Sequence, residues 1–281
     1  KINFHGNNKS LEELKEARNY GLGHITIDSF NEIENLRKIT LESSIIQNVM
    51  IRVSPSIDPH THLLTTTGIL DSKFGFSIET GDAEKAIEKL MKIKSLNLLG
   101  LHFHLGSPIF ELKPYSEAID YVFQFAAEMR NKYGLDMKEF SPGGGFALGY
   151  QTQKKPLPIS DYAKVIGESV KKGCDVHGFN IPKVILEPGR ALIGRAGVSI
   201  YRIGSIKTIP GVRNYVSIDG GMGDNIRPAL YGSEYSVFSV TKILENKNLL
   251  KSTISGKFCE SGDVLAKDIN LPDPMIDDLL V

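Results

Sequence analysis

The 281-residue chain is long enough for one large domain or for one domain with a smaller companion. Lys+Arg and Asp+Glu both total 33, so the net charge is zero and the composition favours neither a nucleic acid nor an anionic membrane surface as a partner. No apolar run reaches membrane-spanning length, no signal-peptide pattern opens the chain, and two cysteines, Cys174 and Cys259, are too few for a disulfide framework, which makes a reducing cytoplasm the expected compartment.

The first two-thirds alternates strand and helix. Ile2 to His5 reads as a short strand, after which Ser10 and Glu13 have capping-box spacing and Leu11, Leu14 and Ala17 mark the apolar face of a helix ended by Gly21 and Gly23. His24 to Asp28 is the next strand, and Ser29 with Glu32 repeats the capping-box spacing ahead of Ile33, Leu36 and Ile39. Further strands are expected over 45–53, over 97–103, up to about Ser141 and over 183–187, and further helices over 82–91, about 114–132 and about 161–172. Six strand–helix steps predict a parallel sheet with right-handed crossovers. Beyond about residue 196 the texture changes to short β-type runs at 198–201, 215–218, 235–238 and 251–258, with no helix pattern between them. The chain therefore divides into a partial α/β barrel over 1–196 and a partial all-β domain over 197–281. Six units do not close an eight-stranded barrel, so the sheet is either open or short of about two strands upstream of Lys1. The chain begins at Lys1 without a Met and ends on Leu279-Leu280-Val281, and natural termini are usually polar, so both ends are expected to be internal to a longer polypeptide.

Polar residues gather where apolar runs end: His5-Gly6-Asn7-Asn8, Asp28, Arg52-Val53-Ser54, His102-Phe103-His104, Gly143-Gly144-Gly145 and Glu187-Pro188-Gly189-Arg190. In a parallel barrel the C-terminal strand ends carry the active site. Each group also has a plainer reading. Consecutive glycines can cradle a phosphate or form a flexible loop. His102 and His104 share a strand face by the two-residue period, as a metal pair, a stacking or proton-handling pair, or buried histidines with one hydrogen bond each. No third ligand with zinc-like spacing stands near them, so no metal is expected. Glu187 and Arg190 can serve a heterocyclic nitrogen and an anion or form a structural ion pair. Arg227 and Tyr231 suit a carboxylate or lie on an interdomain loop. Cys259 beside Glu260 can donate a proton or bind an amine, or the cysteine can act as a small buried hydrophobe.

Taken in order, His-Gly-Asn-Asn-Lys (5–9), Ser-Lys-Phe-Gly (72–75), His-x-His-x-Gly-Ser (102–107), Gly-Gly-Gly-Phe (143–146), Glu-Pro-Gly-Arg (187–190), Asp-Gly-Gly-Met (219–222), Arg-Pro-Ala-Leu-Tyr (227–231) and Cys-Glu-Ser-Gly-Asp-Val-Leu (259–265) resemble the diaminopimelate decarboxylases. These belong to the alanine-racemase-like, fold-type III enzymes that use pyridoxal 5'-phosphate (PLP). The resemblance implies an eight-stranded (β/α)8 PLP-binding barrel, here with about six strands, followed by an all-β domain and assembled as a homodimer with shared active sites. It implies that His104 stacks on the PLP ring. Ser107, Gly143, Gly144, Gly145, Gly189 and Arg190 would surround the phosphate, and Glu187 would keep the pyridine nitrogen protonated. Arg190, Arg227, Tyr231 and Ser261 would contact substrate, and Glu260 would read its distal amino group. Cys259 would protonate the carbon that loses CO2, and Lys73 with Asp263 would bridge the dimer. The implied reaction converts meso-2,6-diaminopimelate, at its D-configured centre, to L-lysine and CO2.

Three departures accompany the resemblance. The PLP lysine belongs to a strand preceding the segment that matches 2–9, and Lys1, at the start of its strand, does not replace it. An Ala-Tyr motif is expected just after Val281. Pro108 stands where the family has glutamine. Two alternatives remain: a related ornithine, lysine or carboxynorspermidine decarboxylase, which generally lacks the Cys-Glu-Ser reading, and a catalytically silent decarboxylase-like binding protein.

Overall fold

The computed structural model describes residues 2–41, 45–58, 67–68, 70–149, 155–242 and 248–281. Lys1 lies outside the described residues. Two compact units divide the chain: Lys1–Ala147 with Leu157–Leu192, and Leu148–Pro156 with Ile193–Val281.

The first unit is a curled parallel sheet flanked by helices, as strand–helix alternation requires. Its strands β1 (Asn3–Phe4), β2 (His24–Ile27), β3 (Gln47–Ser54), β4 (Phe76–Ser77), β5 (Leu96–His102), β6 (Glu139–Gly144) and β7 (Lys183–Glu187) are separated by helices α1 (Leu11–Asn19), α2 (Phe30–Leu41), α3 (Asp82–Met91), α4 (Lys113–Tyr133) and α5 (Ile159–His177). The order is β1-β2-β3-β5-β6-β7, with β4 paired to β3, and every pairing is parallel. Sequential order in a parallel sheet is the topology of a half barrel, and the described strands do not close it. The core lies between the sheet and its helices. It includes Leu14, Ile33, Leu36, Ile87, Ile119, Phe123 and Tyr162 from the helices against Ile25, Val49, Ile51, Leu101 and Phe140 from the strands, all at most 2% exposed.

The capping signals hold unevenly. At α1 both halves of the Ser10–Glu13 box form. At α2 Ser29 Oγ accepts the Glu32 N–H, but the Glu32 carboxylate turns to the Asp28 N–H and to Lys9. Strand β6 runs farther than expected, so that Gly143 and Gly144 belong to its end rather than to a following loop.

In the second unit a short helix α6 (Arg190–Ile193) has its last residue, and β8 (Tyr201–Ile209), β9 (Arg213–Ile218), α7 (Arg227–Tyr231), β10 (Leu249–Ser255), β11 (Val264–Pro272) and β12 (Leu279–Leu280) follow. The sheet order is β11-β10-β9-β8-β12, antiparallel except for β9 with β10. It encloses a small core of Ile203, Val216, Ile218, Ile254, Ala266, Leu271 and Leu280. Three expectations are corrected here. Residues 198–200 precede β8, residues 235–238 form no strand, and one turn of helix, α7, occupies the Arg-Pro-Ala-Leu-Tyr motif. The proline accounts for the last, since it fits the first turn of a helix, where its missing N–H costs nothing. Among the described residues no helix is long and apolar enough to cross a membrane.

Candidate active site

The parallel registers set His102 of β5 opposite Ser141 of β6, and Gly144 of β6 opposite Glu187 of β7. Glu187 is consequently the hub of a polar cluster at the C-terminal strand ends. Its Oε2 lies 3.2 Å from His102 Nε2, its Oε1 accepts the Ser141 hydroxyl at 3.3 Å, and His5 Nε2 stands 3.3 Å from Oε1. The His5 and His102 rings are packed with centroids 4.9 Å apart. His104, just past β5, accepts the Gly144 N–H on Nδ1 at 3.2 Å. The structure thus brings together His104, Gly143, Gly144 and Glu187, and it adds His5, His102 and Ser141, to which the resemblance assigned no role.

Charge in the cluster is set by burial and by hydrogen bonds. Burial lowers the His104 imidazole to about 4, with Arg52 and His102 adding to it. Burial likewise takes His5 to about 4, aided by His102. Both rings are neutral at pH 7. For Glu187, burial alone would raise the carboxyl, but the His102 bond and the surrounding imidazoles outweigh it and hold it down to about 2. With His5 and His104 neutral, the His102 N–H is the stronger of these influences, and Glu187 is a carboxylate at any working pH.

PLP asks for two things that these residues supply: an anion to face the pyridinium nitrogen and a flat neutral face for the ring. Glu187 is the anion and His104 the neutral imidazole, so the residues present fit the cofactor. The glycines also have a packing reason. A Cβ on Gly144 would sit 1.7 Å from the Glu187 carbonyl oxygen, one on Gly143 2.7 Å from His104 Nδ1, and one on Gly145 2.0 Å from the Gly106 carbonyl oxygen. The Gly144 N–H is taken by His104 and the Gly143 N–H by Ser141 Oγ. Close backbone approach therefore requires these glycines, and two of their three amides already have partners within the chain. Helix α4 braces the same strand end, since the buried Tyr115 hydroxyl donates to the Gly144 carbonyl. The half-buried Ser107 and Arg190, with exposed Gly189, flank the cluster in sequence.

Beside the cluster lies a charged tier. Arg52, at the end of β3, stands 3.8 Å from the buried Asp28, which also accepts the Gly75 N–H. Lys9 is buried against Glu32 at 2.8 Å and donates to the Gly6 and Thr26 carbonyls. Burial pushes the Glu32 carboxyl up to about 7, more than Lys9 pulls it down.

The remaining expected site residues stand elsewhere. Lys73 is exposed, its ammonium 5.0 Å from the Phe74 ring centroid. In the second unit Arg227 and Tyr231 share one helical turn, with the guanidinium 5.1 Å from the phenol ring centroid. Cys259, Glu260 and Ser261 are exposed, and Cys259 is a free thiol. Asp263 is 3% exposed and accepts the Met222 N–H at 2.6 Å and the Phe258 N–H at 2.9 Å. It ties the 219–222 turn to the 259–263 loop inside one chain. The sockets at Gly221 and Gly256, where a Cβ would meet its carboxylate at 2.6 and 2.1 Å, explain both glycines.

Among the described residues, His5, His102 and Glu187 also bring ligand-type atoms within 4.8 Å of one another. The His pair that spacing singled out does not converge on one centre: His102 serves Glu187, while His104 takes the Gly144 amide. For His102 the reading of a buried histidine with one hydrogen bond describes its geometry. His5 could have been suspected only from its place at a strand end, because its partners lie on other strands: Thr26 at 3.4 Å on β2, and His102 and Glu187, which are far away in sequence.

Residues 1–194 match the family described as pyridoxal-dependent decarboxylase, pyridoxal binding domain. A diaminopimelate decarboxylase of Bacillus subtilis (strain 168) is 43% identical over 280 residues, covering 100% of this chain and 64% of its own length. One from Synechocystis sp. is 41% identical over 282 residues, covering 100% of this chain and 59% of its own. Among solved structures, diaminopimelate decarboxylase from M. jannaschii in co-complex with L-lysine superposes with a TM-score of 0.88 at 31% identity, covering 100% of this chain and 63% of that one. The Helicobacter pylori enzyme complexed with L-lysine gives 0.85 at 27% identity, covering 99% and 66%. The chain therefore spans about two-thirds of the length of these relatives.

Proposed function

The chain belongs to the pyridoxal-dependent decarboxylases, and from that premise we propose that the polypeptide carrying it decarboxylates meso-2,6-diaminopimelate to L-lysine and CO2. The observation that carries the reading is an anionic Glu187 bonded to His102 and Ser141 beside a neutral His104, all at the strand ends of a PLP-binding fold. The substrate assignment draws on relatives named diaminopimelate decarboxylase that match along the whole chain, two of them in structures with L-lysine.

Bound PLP supplies an electron sink for the pair released when a carboxylate leaves as CO2. Glu187 holds a proton on the ring nitrogen, which keeps that sink open. His104 presents its ring face, and Ser107, Gly145, Gly189 and Arg190 serve the phosphate. Arg190, Arg227 and Tyr231 fork onto the substrate's carboxylates, the planar guanidinium matching their geometry. Cys259 gives its Sγ proton to the carbon that has lost CO2, and Glu260, with Ser261, accepts the distal ammonium. The enzyme acts in the cytoplasm, in keeping with its free thiols.

We also propose a homodimer with composite sites, with Cys259 and Glu260 reaching the partner's cofactor and Lys73 and Asp263 near the interface. Mixing inactive His104→Ala and Cys259→Ala proteins under verified subunit exchange tests both proposals with diaminopimelate as substrate. Random exchange should restore roughly a quarter of wild-type activity, because a two-fold dimer then holds one intact site per heterodimer. No recovery would mean that each site is built within one chain. A wild-type protein that releases no CO2 from diaminopimelate would remove the substrate assignment.

A further inference from the structure

We propose that His102 is a positioning residue that fixes the orientation of the Glu187 carboxylate, through one N–H···O bond, for the ring nitrogen of PLP. The proposal rests on the reading of Glu187 given above and extends it by one residue.

The His102 ring is 1% exposed, and β5 is paired on both sides, with His102 opposite Arg52 and Ser141, so its backbone is held between two neighbouring strands. Its Nε2 lies 3.2 Å from Glu187 Oε2, while its Nδ1 is buried with no partner among the described residues. That orphan atom decides the tautomer. A proton on Nδ1 would be a buried donor with nothing to accept it, whereas a proton on Nε2 meets a carboxylate. The imidazole therefore donates from Nε2, and Ser141 donates to the other oxygen at 3.3 Å. Two donors on two oxygens from adjacent strands fix the plane of the carboxylate. His5 closes the remaining side, 3.3 Å from Oε1, with its ring against that of His102.

The same atom argues against a cation held by His5, His102 and Glu187. A metal ligand needs the Nε2 lone pair, which would move the proton to Nδ1, where it has no acceptor. Those two nitrogens serve the carboxylate instead. Ring-nitrogen chemistry needs Glu187 both ionised and turned to face the ring. Without the His102 N–H, Oε2 loses its donor, the carboxylate can rotate, and burial favours its protonated form. A carboxylic acid at that place would present a proton where a lone pair is required.

The test uses full-length apoenzyme loaded with pyridoxamine 5'-phosphate labelled with 15N in the ring. This analogue lacks the carbonyl, so its binding depends on no lysine. The 15N shift reports ring protonation, and titration gives affinity. Wild type should hold the ring nitrogen protonated, and Glu187→Gln should not. His102→Leu should move the shift towards the Glu187→Gln value and weaken binding about tenfold, the scale of one charge-assisted hydrogen bond. His102→Gln, whose amide can donate from near the Nε2 position, should restore most of the wild-type shift, whereas the shorter His102→Asn should not. That pair keeps the test open if His102→Leu fails to fold. A wild-type shift and affinity in His102→Leu, or equal behaviour of the Gln and Asn variants, would overturn the role of His102. A Glu187→Gln protein with its ring nitrogen still protonated would instead overturn the reading of Glu187.

Discussion

The polar residues of the two units are organised in opposite ways. In the first unit Glu187 is bonded to His102 and Ser141, and His104 to Gly144, at buried or half-buried positions. In the second, Cys259, Glu260 and Ser261 stand exposed on a loop whose base, Asp263, is buried and fully engaged. One region is pre-organised by its own neighbours. The other presents exposed polar groups on a loop braced by a buried carboxylate. Substitution should therefore have different consequences in each: loss of chemistry with the fold intact in the second unit, and coupled loss of binding, proton state and stability in the first.

The largest effect expected from this contrast is at Cys259. Cys259→Ala removes an exposed thiol, so the melting temperature and cofactor affinity should be unchanged while kcat falls about 10²–10⁴-fold, the range for a lost proton donor. Turnover close to wild type would show that the proton comes from elsewhere, and the comparison would lose its catalytic side.

The next effect belongs to the first unit. Glu32 is lifted from 4.5 to about 7, so the folded chain binds that proton more tightly than the unfolded chain does. Its contribution favours the folded state fully below about pH 4.5 and is lost as the pH rises through about 7, an effect of up to about 3 kcal/mol by linkage. Glu32→Gln should flatten that part of the profile. Urea unfolding at several pH values between 4.5 and 8 measures it, and identical slopes in both proteins would contradict the assignment.

At Glu260 the expected loss is smaller. Glu260→Ala should cost about 1.5–3 kcal/mol of transition-state binding, roughly tenfold or more in kcat/KM, with PLP affinity retained. Steady-state kinetics with diaminopimelate decide it, and unchanged kinetics would take Glu260 out of the site. The smallest effect is at Tyr115. Tyr115→Phe leaves the buried Gly144 carbonyl without its hydroxyl donor and should destabilise the protein by about 1 kcal/mol. A thermal melt unchanged within error would mean that α4 does not brace the strand end.

Local rules carried the first unit well and the second poorly. Helix α1 was legible because its cap, apolar face and closing glycines lie within fourteen residues of one another, as Ser10 to Gly23 illustrates. Strand β11 was not, because its run Val264–Pro272 includes Lys267, Asp268 and Asn270 and its pairing with β10 shifts register, so no clean two-residue period survives. Glu32 was readable as half of a capping box, but its partnership with Lys9, 23 residues earlier, was not. Glu187, His104 and the glycines stood out as types at strand ends. The His102–Glu187 bond spans 85 residues and depends on strand register, which periodicity within one strand does not encode.

The Asp263 lock has an evolutionary corollary. Its carboxylate occupies space that a Cβ on Gly221 or Gly256 would need, while serving the amides of Met222 and Phe258. A larger residue at either glycine evicts the carboxylate, and a smaller residue at 263 leaves two amides stranded over a void. Single steps away from the trio are therefore disfavoured, and the three positions are expected to be epistatic. Drift at one is held back until the others change with it, so these sites should be inherited as a set, although 42 residues separate Gly221 from Asp263 along the chain.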